Sequence, residues 1–503
     1  MAAPVESPSA QPDLAVPFHT INGRPETSEE QSEIIDPATG EVFAQCPLAT
    51  GEQLDRAVAA AQDASPAWAQ TGWAARSRAL TALAEAIRAE TEPLAHLLTR
   101  EQGKPLAHAR AEILRCAEIF AQVAAYSEIT AVVLREDETA VVEQHFAPRG
   151  PTAVITPWNV PVGIAALRSA PFLQTGNTVV LKPSPYTPLT TLRLGRIAAR
   201  VLPAGVFNVL STGDALAGRL TAHEDIAAVS FTGSVPTGRS VMASAAPGLK
   251  HLGLELGGND PAIVLDDVDP QAVAPQIFRA AFANSGQICM AIKRVYAHES
   301  IHDRLVEELA RLADAAVLGP GTNPRSEIGP VQNQAQHQRL RELLEETRAI
   351  PGVRLATARR DVPERGYFLA PTVVADIRDG ARLVDEEQFG PVLPVVRFTD
   401  EDDALHRANA TRYGLSASVW SASPGRAAAL AQRVEAGTVW INTHLVTDVH
   451  TPFGGWKDSG IGRVNGVRGL ESCLEGRVVF RAKQPARRPA GESRPCTRTG
   501  SRT

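Results

Sequence analysis

The sequence has no excess of basic charge, since 50 lysine and arginine residues stand against 56 aspartate and glutamate residues and leave a net charge of −6. Proteins that bind nucleic acid carry a basic surface, so this balance excludes no fold but disfavours a nucleic-acid partner. The chain also has no apolar run of about 18 residues, as a membrane span needs, and no basic start followed by an apolar segment, as a secretory signal needs. These absences predict a cytoplasmic protein without a membrane partner.

Cysteine is scarce as well, with five residues among 503. The odd number, and the lack of C-x-x-C pairs or of Cys/His ligand spacing, disfavour a disulfide framework and a zinc site, so we expect no bound metal. The remaining composition, with 44% hydrophobic and 21% charged residues, is ordinary for a globular protein. The length is enough for more than one hydrophobic core.

From Gly150 onward, short apolar segments alternate with segments whose apolar residues have helical spacing. This alternation is typical of βαβ units and predicts an α/β fold with parallel sheets in two closely packed halves, with the ligand in the crevice between them. The first half contains predicted strands at 152–155, 178–182, 206–210, 227–231 and 252–255. The second half contains them at 262–265, 294–297, 372–375, 394–398, 416–420 and 439–442.

The rest of the chain has other patterns. Apolar residues at helical spacing predict a helical opening at 53–70, 74–102 and 107–126. A hairpin is predicted from 131–134 and 140–146 around a charged turn at 135–138, and neither this hairpin nor the late strand 477–480 has an obvious local partner, so an exposed edge that invites pairing is expected. Both ends lack a pattern for burial, which predicts disorder at 1–15 and 484–503.

Polar residues come directly after several strands of the first half. Asn159 lies beyond the first strand and offers an amide donor, and Lys182 and Ser184 lie at the end of the second. Each of them taken alone fits an ordinary turn or a surface ion pair equally well. After the fourth strand, the segment FTGSVPTG at 231–238 places a glycine turn before a helix start, which fits either a phosphate cradle or a plain turn.

Glu255 ends the fifth strand, and two glycines lie shortly after it. Its carboxylate is either a satisfied structural acceptor or a general base with a raised pKa. Cys289 lies just beyond Gly286 in an apolar stretch, where an isolated cysteine is most often inert, but a nearby base and a shaped pocket would make it a nucleophile. A thiolate, a base, an amide and a dinucleotide cradle on one sheet fit nucleophilic attack and subsequent hydride removal.

These residues stand in motifs that resemble those of the NAD(P)-dependent aldehyde dehydrogenases. The order and spacing of the motifs match that family from about residue 16 to residue 483. The matching segments are Pro157-Trp158-Asn159, Lys182-Pro183-Ser184, Phe231-Thr232-Gly233-Ser234, Glu255-Leu256-Gly257-Gly258, Asn284-x-Gly286-Gln287-x-Cys289, Glu387-x-Phe389-Gly390-Pro391-Val392 and Pro452-Phe453-Gly454-Gly455-x-Lys457-x-Ser459-Gly460.

The resemblance implies a fold, an assembly and a reaction. It implies a Rossmann-like parallel-sheet cofactor domain at 16–126 and 147–257, an α/β catalytic domain at 258–473 and a small β oligomerisation arm at 127–146 and 474–483. A homodimer or homotetramer would oxidise a small-molecule aldehyde to a carboxylic acid with NAD or NADP. Cys289 would form a thiohemiacetal and then a thioester, Asn159 would donate to the oxyanion, and Glu255 would activate the hydrolytic water.

The resemblance also implies two sets of binding residues. Those expected to hold the dinucleotide are Thr156, Pro157, Trp158, Lys182, Ser184, Gly213, Phe231, Gly233, Ser234, Leu256, Glu387 and Phe389. Those expected at the substrate pocket are Ile288, Met290, Leu167, His444, Leu445 and Phe453. This pocket is mostly apolar and has no basic pair for a second carboxylate, which favours aliphatic or aromatic aldehydes.

Four residues depart from the family pattern. Pro185 replaces the carboxylate that binds the adenosine 2′-hydroxyl, which leaves the choice between NAD and NADP open. Arg168 replaces a lysine sometimes invoked as a proton relay, and Val464 replaces a glutamate that orders the deacylation water, so a slower hydrolytic step is one consequence. Cys473 replaces an aromatic residue.

Two other functions fit the sequence less well. Arg168 and Val464 would suit a catalytically reduced member that acts as a binding or structural oligomer, but such a protein has no need of Cys289, Glu255 and Asn159. A CoA-acylating aldehyde dehydrogenase usually lacks the glutamate that stands here at position 255. The hydrolytic dehydrogenase therefore agrees best with the residues present.

Overall fold

The computed structural model describes residues 17–358 and 361–483, so the disorder predicted at 1–15 and 484–503 concerns residues outside this part of the chain. Its strands are β1 (His19–Ile21), β2 (Arg24–Glu26), β3 (Gln31–Asp36), β4 (Glu41–Pro47), β5 (Val132–Glu136), β6 (Ala140–Pro148), β7 (Thr152–Ile155), β8 (Val179–Lys182), β9 (Phe207–Val209), β10 (Ala228–Thr232), β11 (His251–Glu255), β12 (Asp260–Val264), β13 (Ile292–His298), β14 (Arg354–Leu355), β15 (Thr372–Ile377), β16 (Val392–Phe398), β17 (Ser416–Trp420), β18 (Thr438–Ile441), β19 (Gly460–Ile461) and β20 (Leu474–Ala482).

The α-helices are α1 (Gly51–Gln70), α2 (Trp73–Ala89), α3 (Thr91–Gln102), α4 (Leu106–Ala124), α5 (Pro161–Gln174), α6 (Leu189–Ala198), α7 (Asp214–Ala222), α8 (Val235–Ala245), α9 (Pro270–Phe282), α10 (Glu299–Ala315), α11 (Gln334–Arg348), α12 (Arg382–Asp385), α13 (Glu401–Asn409), α14 (Pro424–Ala431) and α15 (Gly466–Ser472). None of these helices combines the length and the apolar character that crossing a lipid bilayer requires.

The first half of the chain builds most of an eight-stranded sheet in the order β19-β11-β10-β7-β8-β9-β1-β2. The strands from β11 to β9 are parallel, and the edge strands pair antiparallel with their neighbours. Successive residues of β7 enter different cores, since Val154 joins the core that contains α2 and α4 while Ala153 and Ile155 join the core that contains α1. Burial on both faces explains why these strands are apolar along their whole length.

The second half forms a seven-stranded sheet in the order β14-β15-β16-β13-β12-β17-β18, which is parallel except for β14. Its strands also alternate between two cores, with Val264 of β12 in one and Ile263 in the other. The chain passes from the first sheet to the second between Glu255, at the end of β11, and Asp260, at the start of β12. The predicted α/β fold with parallel sheets is therefore confirmed.

A third, antiparallel sheet consists of β5, β6 and β20. The predicted hairpin is confirmed, but its turn lies after Glu136, because Asp137 accepts hydrogen bonds from the backbone N–H groups of Thr139 and Ala140 at 2.8 and 3.0 Å. The late strand, for which the sequence offers no local partner, pairs with a distant one. β20 pairs with β6 along its whole length, a contact between residues more than three hundred positions apart that local pattern does not reveal.

The predicted helical opening missed four strands, because β1 to β4 precede α1. β1 and β2 have three residues each, too few to display an alternation. β3 and β4 form a hairpin of their own whose register shifts after Ile34, which interrupts the alternation of exposed and buried side chains. The eleven strands predicted between residues 152 and 442 are all confirmed, each end within two residues.

Candidate active site

The carboxyl ends of β11, β10, β7 and β8 lie side by side, because these strands are neighbours and parallel. Glu255 stands at the end of β11 beside Thr232 of β10, and Lys182 stands at the end of β8 beside Ile155 of β7. The sequence prediction that polar groups meet at this edge of the sheet is confirmed for these strands. Ligands of parallel sheets bind at such an edge.

Cys289 ends a loop between α9 and β13, residues 283–289, which we call the Cys289 loop. Asn284 and Ser285 have positive φ angles of 50° and 57°. This conformation costs about 1–3 kcal/mol for a residue other than glycine and persists only where the surroundings enforce it. Ser285 donates a hydrogen bond to the Gly329 carbonyl at 2.9 Å. The loop is therefore held in a fixed shape that presents the half-buried Cys289.

The Cys289 thiol lies among acidic groups. Burial raises its pKa to about 12, and the negative charges of Glu387, Asp260 and Glu255 act in the same direction. The positive charge of Lys293 opposes them. The resting thiol is therefore protonated near neutral pH, and a thiolate forms only if a neighbouring group accepts the proton.

Glu255 is a candidate for that group. Its carboxylate is buried, and one oxygen, Oε2, has no hydrogen-bond partner among the described residues. Burial raises the pKa of Glu255 to about 8, against the opposing charges of Arg168 and Arg463. Arg168 is fixed by hydrogen bonds from its guanidinium to the carbonyls of Phe231, at 2.6 Å, and Gly253, at 3.0 Å. A carboxyl that titrates near neutral pH with a free oxygen is suited to moving a proton.

Asn159 reaches the Cys289 loop from the other sheet. Its side-chain amide donates to the Gln287 carbonyl at 2.8 Å, which leaves the second N–H of the amide for another acceptor. The backbone of Asn159 is held by Lys104, which donates to its carbonyl at 2.9 Å and pairs with buried Glu112. Glu112 in turn accepts from two backbone N–H groups at the start of α5, at 3.1 and 3.2 Å.

A second loop, residues 386–391 between α12 and β16, approaches the same site, and we call it the Glu387 loop. Glu387 accepts a hydrogen bond from the Gly258 N–H at 3.2 Å, and burial raises its pKa to about 7. Phe389 has a positive φ of 51° and meets Trp158 edge-on, with 5.3 Å between the ring centroids. The structure therefore brings residues predicted at the cofactor site from both sheets into contact.

The strand-end residues of the predicted dinucleotide site are buried and partly unsatisfied. Burial lowers the pKa of Lys182 to about 8, against the opposing charge of Asp214. The Thr156 hydroxyl is buried and has no hydrogen-bond partner among the described residues. Ser184 accepts from the Tyr186 N–H at 3.3 Å. Buried polar groups without partners are uncommon, so this edge has the character of a polar ligand site.

Two helix starts complete that site. Gly213 is the residue before α7, and Ser234 caps α8 by accepting from its first turn. A Cβ atom on Gly233 would lie 2.5 Å from the Phe231 ring, and one on Gly238 of α8 would lie 2.5 Å from Leu256, so a side chain at either position would require its neighbour to move. Free backbone N–H groups at a helix start, approached through glycines, form an anion site.

The residues predicted at the substrate pocket divide into two groups. Ile288 and Met290 flank Cys289 and are half-buried. His444 belongs with them, since its Nε2 lies 2.8 Å from the Met290 carbonyl and its ring lies 4.5 Å from that of Trp440. Burial lowers the pKa of His444 to about 4, so the ring is neutral and donates this hydrogen bond.

The other three have different surroundings. Leu445 packs against the core of the second sheet, and Phe453 pairs through its backbone with Val464 at 2.8 Å. Leu167 packs against the core of the first sheet and, with Arg168, lines a cavity of about 30 Å³. Leu167 therefore has a packing role in this structure that the sequence did not indicate.

Sequence reasoning missed three buried charged residues near the site, Lys104, Asp260 and Lys293. Asp260 accepts a hydrogen bond from the Ser416 hydroxyl, and burial raises its pKa to about 8. Two of these residues could have been found from the sequence, because each is a charged residue at the start of or within an apolar strand, as Lys293 is in β13. Charged residues are almost never fully buried without a specific reason.

The chain is similar to known proteins over nearly all of its length. Residues 24–479 match the model of the aldehyde dehydrogenase family. Aldehyde dehydrogenase LUC3 from Fusarium is 37% identical over 466 residues, which cover 92% of this chain and 98% of that protein.

Solved structures agree with this match. An NAD+ complex of aldehyde dehydrogenase from Bacillus cereus is 33% identical, with a TM-score of 0.90 and coverage of 93% of this chain and 96% of that one. An NADP-dependent enzyme from E. coli is 32% identical, with a TM-score of 0.89 and coverage of 94% and 99%. The chain therefore belongs to the aldehyde dehydrogenase family and is an oxidoreductase that acts on small-molecule aldehydes with a nicotinamide dinucleotide.

Proposed function

We propose that the enzyme oxidises an aldehyde to a carboxylic acid through a covalent intermediate on Cys289. The sulfur attacks the carbonyl carbon, and the resulting oxyanion accepts hydrogen bonds from the Asn159 side chain and from the Cys289 backbone N–H, each of which contributes about 3 kcal/mol in a dry site. Loss of hydride leaves a thioester, which water hydrolyses with Glu255 as the base. The observation that carries this proposal is the buried Glu255 carboxylate, which has one oxygen without a hydrogen-bond partner in the described part of the chain and whose charge acts on the Cys289 thiol.

The residues at the sheet edge fit a nicotinamide dinucleotide. Lys182 and Ser184 would hold the adenosine ribose, and Ser234 would hold the pyrophosphate at the start of α8. Glu387 and Phe389 would contact the nicotinamide ribose and ring. When bound, the oxidised nicotinamide supplies the acceptor for the hydride. We propose that residues 16–126 and 147–257 form the cofactor-binding domain and that residues 258–473 form the catalytic domain, which supplies Cys289 and also contributes Glu387 and Phe389 to the cofactor site.

We infer an apolar aldehyde as substrate. Ile288 and Met290 flank the nucleophile, and the ring of His444 beside them is neutral because burial lowers its pKa to about 4. No pair of cations is available there, among the described residues, to bind a second carboxylate, so aliphatic or aromatic aldehydes fit better than semialdehyde acids.

The direct test is a screen of purified enzyme against aliphatic, aromatic and carboxylated aldehydes, with NAD and with NADP, monitored by the absorbance of the reduced cofactor. We expect turnover with apolar aldehydes without coenzyme A. A rate that requires coenzyme A would favour an acylating enzyme instead. Absence of turnover with every aldehyde, in protein that still binds the cofactor, would favour a catalytically reduced member.

Coenzyme use is expected to be relaxed, with measurable activity from both NAD and NADP. Pro185 neither holds a 2′-hydroxyl nor repels a 2′-phosphate, and the Lys182 ammonium would attract the phosphate. Comparing kcat/KM for the two coenzymes tests this expectation. A preference for NAD above about a thousandfold, equivalent to roughly 4 kcal/mol, would show that another group discriminates, and Asp214 beside Lys182 would be the first candidate.

Pro185→Glu is the variant that tests the role of position 185 in coenzyme choice. A carboxylate at this position should lower kcat/KM for NADP and leave that for NAD unchanged or raised, because it repels the 2′-phosphate and accepts from the 2′-hydroxyl. An equal response of both coenzymes to Pro185→Glu would place the adenosine ribose elsewhere.

We further propose that the third sheet is an oligomerisation arm that gives a dimer or a dimer of dimers. Apolar side chains on it are exposed, among them Val132, Val133, Val478 and Phe480, the last with 70% of its surface accessible. An apolar patch next to the unpaired edges of a small sheet is typical of an interface between copies of a chain.

Truncation tests the arm. Deleting residues 477–503 removes most of β20 and leaves β6 without its partner, so we expect loss of the oligomer or of solubility. Deleting only 484–503 keeps β20 whole and should leave assembly intact. Light scattering of the two proteins gives the answer, and a full oligomer with normal activity in the longer deletion would disprove the arm assignment.

A further inference from the structure

Lys293 is the most deeply buried cation next to the site, with 1% of its surface accessible. It lies on β13, four residues after Cys289. Taking an ammonium group out of water costs several kcal/mol unless other groups compensate, and replacing a buried cation together with its acidic partners by apolar side chains is often neutral or stabilising. Stability alone therefore gives no reason for a lysine at this position.

The ammonium group lies between the two loops of the site. Its Nζ donates to the carbonyl of Gly286, in the Cys289 loop, at 2.6 Å. The same atom lies 4.9 Å from the ring centroid of Phe389, in the Glu387 loop, which is a cation–π distance. The Lys293 backbone carbonyl accepts from the Gln388 side chain at 2.8 Å. A Cβ on Gly286 would lie 2.2 Å from the Gly390 carbonyl oxygen, so the two loops are in direct contact here.

The charges around Lys293 are predominantly negative. Glu387, Asp260 and the Cys289 sulfur favour its protonated form and oppose the effect of burial, which lowers its pKa. The other charged groups face its neighbours, with Arg339 acting on Glu387 and Arg168 and Arg463 acting on Glu255. His444 also faces Lys293 but is neutral. Lys293 is thus the cation that opposes the acidic groups at the thiol.

We propose that Lys293 is a positioning residue for the reaction, which joins the Cys289 loop to the Glu387 loop and keeps a positive charge beside the Cys289 sulfur as it loses its proton. This inference rests on the proposed role of Cys289 as nucleophile. The proton passes from the thiol to a base or to water, and Lys293 keeps its own protons throughout. Without that charge, the thiolate would form beside Glu387, Asp260 and Glu255 without the cation that acts directly on the sulfur.

The test is the rate of Cys289 alkylation by iodoacetamide in the full-length enzyme at several pH values near neutrality, with the labelled residue identified by mass spectrometry. In Lys293→Met, we expect the labelling rate at each of these pH values to fall by about tenfold or more, because each pH lies below the pKa of the thiol and a smaller fraction of it is ionised. In Lys293→Arg, which keeps a charge but has a different shape, we expect part of the lost rate to be recovered. Lys293→Gln keeps a donor for the Gly286 carbonyl without charge and should behave like Lys293→Met.

The matched control is Lys250→Met. Lys250 also donates to two backbone carbonyls, those of His223 and Ile226, but lies away from the site, so its loss should lower the melting temperature without changing the rate of Cys289 labelling. An unchanged labelling rate in folded Lys293→Gln would overturn the proposal and leave Lys293 a structural residue. Labelling needs no aldehyde oxidation, so failure of the proposed reaction would appear separately in the aldehyde screen.

Discussion

Cys289→Ala is expected to reduce aldehyde oxidation by on the order of 10⁴-fold or more, because loss of a nucleophile removes the covalent route altogether. Binding of the dinucleotide should persist, since the residues expected to hold it belong to the sheet edge and to the Glu387 loop. Steady-state absorbance measures the first effect, and titration of the intrinsic tryptophan fluorescence measures the second, with Trp158 close to the site.

The control for this prediction is Cys46→Ala. Cys46 is buried on β4 in the core of the first sheet, and its removal should affect stability but not turnover. Substantial oxidation by Cys289→Ala, with its cofactor binding intact, would show that the reaction proceeds without a thioester. Equal losses in the two variants would indicate a general effect of core substitution.

The parallel strands could be predicted from the sequence because burial on both faces makes each strand a short apolar run. β7, β8 and β10 are examples, since every residue in them is buried and the helices between them have a different period. The same property fixed the positions of Lys182 and Glu255, because a polar residue that ends such a run stands at the edge of the sheet.

Local pattern could not predict long-range pairing, although the family resemblance places 127–146 and 474–483 in one arm. β20 is exposed over most of its length, and its partner β6 lies more than three hundred positions earlier, so nothing local specifies their register. The short strands β1, β2, β14 and β19 form only where a neighbouring strand accepts them. In each case the tertiary context, rather than intrinsic propensity, decides the conformation.

The candidate site, like the fold, could be predicted from the sequence only in part. Cys289, Glu255 and Asn159 stand in local motifs, and the structure brings the elements that carry them together, although their chemical roles stay predictions. The buried charged residues that position these three side chains, or that act on their pKa values, do not stand in such motifs. Lys104 supports Asn159 through a buried pair with Glu112, and this support depends on a helix that packs from a distant part of the chain.

Glu255→Gln is expected to give a burst of reduced cofactor and then a steady-state rate at least about 100-fold below that of the wild type. Removal of a general base costs roughly 10²–10⁴-fold in the step that it assists, and that step is hydrolysis of the thioester. The amide is similar in shape to the carboxylate, so the thiol and the oxyanion donors should stay in place. Stopped-flow absorbance measures the burst and the steady state in one experiment.

The pH dependence sharpens this prediction. Burial raises the pKa of Glu255 to about 8, so the carboxyl is mostly protonated at neutral pH and acts as a base only as the pH rises. The steady-state rate of the wild type should therefore increase through about pH 8, and Glu255→Gln should lack this increase. A rate that falls over the same range in the wild type would exclude Glu255 as the base for hydrolysis.

Glu387→Gln is the variant that distinguishes hydride removal from hydrolysis of the thioester. Glu387 is expected to contact the nicotinamide ribose, so its loss should slow hydride removal and with it the burst itself. Glu255→Gln should instead preserve the burst and slow only the hydrolysis of the thioester. If Glu255→Gln loses the burst and the steady state to the same extent, then Glu255 acts first as the acceptor of the Cys289 proton, as its effect on the Cys289 thiol would allow.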